Sequence, residues 1–192
     1  MSLKAEARHQ LARQLLVHKK KENTLLRART LIARLCACLA LAGSQAGLAD
    51  LYVAGGVTSE STAALRIELD TMVGLERLHP QLDLRLASGL LLLSSREKDA
   101  NAAWLLTPAL RYTFAGQRSP FIEAGIGGAL FLNTRHESRE LSTAFQFQDR
   151  IAAGLPLGGG ELALSLTHYS NGGIKRPNDG FEVLALGYRW AL

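Results

Sequence analysis

Three residue types that together perform acyl transfer fall on one parity near the end of this 192-residue chain. Leu162, Leu164 and Leu166 occupy alternate positions, and the same parity continues to His168 and Ser170. Counting back from the other side, Leu192, Trp190, Tyr188, Leu186 and Leu184 alternate in the same way and lead to Glu182. Residues i and i+2 of a strand share a face at ~7 Å along the chain, within reach of an imidazole that leans toward the hydroxyl. A hairpin brings the carboxylate alongside from the neighbouring strand. The chemistry of such a set is hydrolytic: Ser170 as nucleophile, His168 as its general base, Glu182 holding and charge-stabilising the imidazole. A polar cluster at a membrane-interface rim is the other account of these residues, and His-x-Ser alone does not separate the two.

The elements that must position them alternate with period two from Asp50 onward, which puts successive side chains on opposite faces of a strand. Ala63, Leu65, Ile67, Leu69, Thr71, Val73 and Leu75 oppose Arg66, Glu68, Asp70 and Glu76. Leu82, Leu84, Leu86, Leu90 and Leu92 oppose Gln81, Asp83, Arg85 and Gly89, and Trp104, Leu106, Leu110, Tyr112 and Phe114 oppose Thr107, Ala109, Arg111 and Thr113. Eight such runs are expected: 50–58, 61–78, 81–94, 101–115, 119–132, 143–157, 160–171 and 180–191. Tight breaks at 79–80, 115–119 and 158–160 alternate with mostly longer polar ones at 94–100, 133–141 and 172–179. An even strand number with short turns at one end and longer loops at the other is the pattern of an outer-membrane barrel.

A soluble barrel with its apolar face around a ligand is the structural rival, and the charges decide against it. The polar face carries Glu68, Asp70, Glu76, Asp83 and Glu123 with Arg66, Arg85, Arg111, Arg150 and Arg189, beside small residues such as Ala64, Gly74, Gly89, Gly125 and Gly127. That set suits a narrow, salt-bridged interior without an aqueous pore, which turns the leucine face to lipid. Tyr188, Trp190, Tyr112 and Phe114 then belong to an aromatic girdle at the turn-side interface. The expected class is all-β: an eight-stranded antiparallel transmembrane β-barrel over 50–192, after a cleaved signal peptide.

Residues 1–49 hold nine Lys or Arg against two acids, a net of +7, whereas 50–192 hold 13 against 15, a net of −2. The basic balance therefore belongs to the leading segment and gives no support to nucleic-acid binding. Arg27, Arg29 and Arg34 precede the apolar stretch 35–43, and small residues lead on to Ala49. This is the order of a secretory signal behind an unusually long extension, with cleavage expected after Ala49 or, alternatively, Ala46. The stretch is far shorter than the ~20 residues a spanning helix needs. Cys36 and Cys38 both lie here, so 50–192 can form neither a disulfide nor a thiolate metal site. Cys38 opens the apolar stretch where a lipidated cysteine would close it.

The segment His168-Tyr-Ser-Asn-Gly-Gly-Ile-Lys-Arg-Pro-Asn-Asp-Gly-Phe-Glu182 closely resembles the active-site hairpin of the outer-membrane lipid A 3-O-deacylases, the PagL-like family. Pro120-Phe-Ile-Glu-Ala-Gly-Ile-Gly127 and Phe147-Gln-Asp-Arg-Ile151 resemble its other recognisable blocks. The resemblance is strongest over 120–180 and rests mostly on pattern over 50–110. It implies a Ser-His-Glu site on the outer surface of the barrel that releases the ester-linked acyl chain at position 3 of lipid A. Its position-by-position reading gives the triad roles to His168, Ser170 and Glu182. The oxyanion donors it implies are Asn171 and the backbone N–H of Gly173, although the glycine pair 172–173 replaces a slightly different small-residue pair. The implied partner is lipid A in the outer leaflet of the bacterial outer membrane, reached by lateral diffusion, with no metal and no cofactor required. A homodimer is admitted without being specified.

Outer-membrane phospholipid hydrolysis or acyl transfer by a similar site is the first alternative, and a non-catalytic structural or adhesive barrel the second. Lys175 and Arg176 are candidates for contact with lipid A phosphates, or are simply solvated. Asp149 falls on the outward parity between Phe147 and Ile151, which implies either a bulge or a supporting role from the sixth run. His79 and His136 are expected at opposite ends of the barrel, which argues against a shared metal site. Glu123 is expected to pair with an interior arginine.

Overall fold

Period-two alternation with apolar residues on one face has a single stable outcome when that face meets hydrocarbon: every backbone N–H and C=O must pair between strands, and no edge can remain open. The computed structural model, which describes residues 49–96 and 100–192, has this form. Among the described residues the strands are β1 (Asp50–Thr58), β2 (Ala63–Gly74), β3 (Leu82–Leu93), β4 (Asn101–Thr113), β5 (Phe121–Phe131), β6 (Arg135–His136), β7 (Arg139–Glu140), β8 (Phe145–Leu157), β9 (Gly160–Ser170) and β10 (Phe181–Trp190). All but β6 and β7 close into one antiparallel barrel in the order β1-β10-β9-β8-β5-β4-β3-β2. The expected targeting segment, 1–49, lies outside the described residues except for Ala49.

The two faces separate as the alternation requires. Leu65, Ile67, Leu90, Leu110, Ile151, Leu164 and Leu184 are exposed on the outside, whereas Arg66, Glu68, Asp70, Arg85, Arg150 and Arg189 are buried inside. Inside, Arg85 bonds Asp70 at 2.6 Å and Glu68 at 3.2 Å, Arg150 bonds Glu123 at 2.8 Å, and Arg189 pairs with Asp70. Neutral groups complete the lattice: Thr107 Oγ1 donates to Glu68 at 2.7 Å, and Gln148 Nε2 donates to Thr107 Oγ1 at 2.6 Å. Toward the longer loops the interior turns apolar, with Leu91, Leu93, Leu105, Phe131, Tyr169 and Phe181 packed together. The Tyr169 and Phe181 rings stack at 5.1 Å. At the short-turn end, Tyr188 meets Trp190 at 4.7 Å and Tyr112 meets Phe114 at 5.0 Å, the pairs expected of the girdle.

Two expectations are corrected. The second run ends at Gly74, not at 78, because Leu78 and His79 both donate backbone N–H groups to Leu75 C=O and turn the chain. Glu76 is therefore an exposed turn residue, and Arg111 pairs with Glu161 at 2.5 Å and with Glu123 at 3.7 Å. The 133–141 break is not plain loop but contains the β6–β7 hairpin, with His79 left at the opposite end of the barrel.

That hairpin roofs the barrel. His136 is 2% exposed, its Nε2 lies 3.0 Å from Thr62 Oγ1, and its ring is 5.4 Å from that of Phe181. Burial among these groups favours the uncharged imidazole and lowers its pKa below the ordinary 6.5. The unfolded chain then binds the proton more readily than the folded one, so stability is complete above pH 6.5 and falls as the pH drops from there toward the folded-state pKa. Urea titrations of the barrel at pH 8 and pH 5 should show a lower midpoint at pH 5. His136→Gln should lose part of that pH dependence, and an identical dependence in the variant would remove His136 as its source.

Candidate active site

The site is a row across the outside of the barrel. Register pairs Glu182 of β10 with His168 of β9, His168 with Asp149 of β8, and Asp149 with Ile126 of β5. The ladders on both sides of β8 run without interruption from Phe147 to Ile151, so no bulge moves Asp149. It stands exposed on the outer face beside the imidazole, where its parity put it. Ser170 ends β9 on the same face, opposite Phe147.

His168 Nδ1 and Glu182 Oε1 are 2.9 Å apart, with the two side chains 41% and 47% exposed. A carboxylate accepts only, so Nδ1 carries the proton and Nε2 keeps its lone pair for a proton from a hydroxyl. The Ser170 hydroxyl has no hydrogen bond among the described residues and is free to be drawn to Nε2 when a substrate packs over it. Glu182 is fixed at the backbone: its C=O accepts from Ser59 N–H at 2.9 Å, and its N–H donates to Ser59 Oγ at 3.2 Å. Gly180, at φ +59°, packs against the ring; a Cβ there would sit 3.1 Å from His168 Cε1. Glycine is the residue that takes this backbone conformation and leaves the imidazole its place.

The 171–180 loop is organised by Asn171. Its buried Nδ2 donates to the C=O of Leu141 at 3.0 Å and of Lys175 at 2.7 Å, and its Oδ1 accepts Gly173 N–H at 2.8 Å. Both groups that family resemblance implies as oxyanion donors are thus engaged inside the loop. Asn178, which the sequence reading passed over, accepts Asn171 N–H on Oδ1 at 2.9 Å. Its NH₂ has no partner among the described residues. The Asn-Asp pair before Gly180 reads as ordinary turn composition, so nothing in the sequence distinguished it. Lys175 and Arg176 are exposed and form no ion pair among the described residues.

Beside the row runs an outer groove of about 760 Å³, lined by Pro108, Ala124, Ile126, Asp149, Ile151, Leu166, His168 and Glu182 among others. A second groove of about 620 Å³ shares Leu110, Ala124, Ile151 and Leu166 and continues toward Tyr112. Ala124 and Pro108 are short outward side chains between longer ones, which is what lets an apolar channel form on the outside of a sheet.

Residues 63–191 match the family described as lipid A 3-O-deacylase (PagL). Two curated relatives, both named lipid A deacylase PagL, are similar over 84 residues: 46% identical for that of Pseudomonas aeruginosa and 38% for that of Bordetella bronchiseptica. These matches cover 43% of this chain, and the chain spans 49% and 46% of the respective relatives, about half their length. The solved crystal structure of the outer membrane enzyme PagL is 32% identical, with a TM-score of 0.69 over 75% of this chain and 100% of that one. A match of this extent, on a barrel with the expected hairpin on its outer face, means that the chain belongs to the lipid A 3-O-deacylase family.

Proposed function

We propose that this chain is an outer-membrane hydrolase that removes the ester-linked 3-hydroxyacyl chain at position 3 of lipid A. The observation that carries the reading is the 2.9 Å His168–Glu182 contact, on the lipid-facing row that ends at Ser170. Residues 1–49 are its targeting segment, removed on export.

The steps follow from the groups on that row. Lipid A diffuses in the outer leaflet, and its acyl chain lies in the apolar groove with the ester carbonyl at Ser170. Ser170 Oγ bonds to the carbonyl carbon as its proton passes to His168 Nε2, and Glu182 stabilises the imidazolium. The negative charge on the former carbonyl oxygen needs a donor from the 171–180 loop. Asn178 NH₂ can supply it without breaking a bond, whereas Asn171 and Gly173 N–H would have to exchange partners. Collapse breaks the ester C–O bond, and the departing sugar oxygen takes the proton from His168. A water then attacks the acyl-serine, giving its proton to His168; collapse breaks the bond to Ser170 Oγ, which takes that proton back, and the fatty acid leaves. One chain supplies all three groups, so a homodimer adds nothing to the chemistry.

Mass spectrometry of lipid A incubated with the detergent-purified protein tests this. Loss of one 3-hydroxyacyl chain as the free acid is the expected product. A chain moved to another acceptor would indicate a transferase, and cleavage of phospholipid alone a phospholipase.

Lys175 and Arg176, exposed on the 171–180 loop that follows Ser170, are the candidates for contact with the phosphates of the substrate. Reversing both charges, Lys175→Glu with Arg176→Glu, should lower turnover of phosphorylated lipid A about tenfold and leave the dephosphorylated substrate unaffected. Equal turnover of phosphorylated lipid A by variant and parent would dismiss the contact.

A further inference from the structure

The carboxylate of Glu182 has a competitor for its charge. Arg139, in β7, reaches over the same end of the barrel and feels the attraction of both Glu182 and Asp179. Asp179 is already occupied, since its Oδ2 accepts Glu140 N–H at 2.9 Å. Glu182 has His168 as its only hydrogen-bonded side-chain partner among the described residues, and it is 47% exposed.

What keeps the guanidinium where it is comes from the β1–β2 turn. Glu60 Oε1 accepts Arg139 Nε at 2.5 Å, and Glu60 Oε2 accepts Ser138 Oγ at 2.6 Å. Both oxygens of one carboxylate thus hold neighbouring residues of the hairpin. The same turn bonds Glu182 through Ser59, one residue earlier. Three charged groups, Glu60, Arg139 and Glu182, are therefore set by two adjacent residues of one turn.

We propose that Glu60 is a positioning residue that ties Arg139 down and so leaves the Glu182 carboxylate to His168. This inference rests on the hydrolytic reading of the site. Without Glu60, the carboxylates that still attract Arg139 are Asp179, already engaged by a backbone N–H, and Glu182. An Arg139–Glu182 pair would draw the acid off Nδ1, and the imidazole would lose the bond that fixes its tautomer. A site misaligned nine-tenths of the time loses about tenfold in kcat.

The experiment compares the parent protein, purified from membranes in detergent, with Glu60→Gln, Arg139→Gln and the double variant. Each preparation is first shown to be folded by its gel shift on heating. ¹⁵N shifts of the two His168 ring nitrogens report the tautomer, and lipid A turnover is measured on the same samples. Glu60→Gln should shift His168 away from the Nδ1–H form and lower kcat about tenfold at unchanged KM. Arg139→Gln should do neither, and the double variant should regain the parent's tautomer and rate.

Impairment of the double variant equal to that of Glu60→Gln would overturn the proposal, because a plain loop tie is not mended by cutting its other end. An unmoved tautomer in Glu60→Gln, or loss of the Nδ1–H form in Arg139→Gln alone, would overturn it as well. The nitrogen shifts decide the point even if the parent protein proves inactive on lipid A, which would instead remove the hydrolytic reading.

Discussion

Ser170→Ala should abolish deacylation, lowering kcat by about 10⁴-fold or more, with the barrel intact. Nucleophile, base and acid act as one unit, so removing the atom that forms the acyl bond leaves only substrate binding and oxyanion stabilisation. Ser170 ends a strand and is half-exposed on the outer face, and its hydroxyl has no hydrogen bond among the described residues whose loss could unfold anything. The variant should therefore keep the parent's heat-dependent gel mobility and its urea midpoint while mass spectrometry finds lipid A unchanged. Retained turnover in a folded Ser170→Ala protein would mean that the polar row is an interfacial rim and that the chemistry lies elsewhere.

The row was legible because strands have period two. His168, Ser170 and Glu182 could be set on one outward face from their spacing to Leu166 and Leu184, and β9 and β10 place them there. Parity gives a face but not a neighbour. That Asp149 stands beside His168, and not one rung away, depends on the stagger of β8 against β9, a property of barrel closure that no local pattern encodes.

The interior was legible in composition for the same reason. Its partners were not, and Glu76 was misplaced because the alternation runs on past the residue where Leu75 starts the turn. Loops have no period at all. Glu60 reaches Arg139 and Thr62 reaches His136 across more than seventy residues, and Asn178 is recognisable only from the bond that it accepts.

The second large effect belongs to the opposite face of the same strands. Arg85→Met should destabilise the barrel by about 3–5 kcal/mol, read as a lower urea midpoint at unchanged slope. Arg85 is 2% exposed and lies among three interior acids: Asp70 at 2.6 Å, Glu68 at 3.2 Å and Glu123 at 3.9 Å. Methionine fills part of the volume and leaves those carboxylates with one cation fewer in a space with little water. Arg66, Arg150 and Arg189 already serve them, so the cost is that of an incomplete network.

A cost well under 1 kcal/mol would mean that water or proton uptake neutralises the interior freely. Replacing Glu68 by Gln in the Arg85→Met background removes one of the stranded charges and should recover part of the loss, a coupling that two independent sites would not show. The folded fraction of Arg85→Met should hydrolyse lipid A at the parent's rate, because among the described residues no hydrogen bond or ion pair links the interior side chains to those of His168, Ser170 or Glu182. Successive residues on β9 thus answer to different demands: Thr167 and Tyr169 face the charges that hold the barrel closed, while His168 and Ser170 face the substrate.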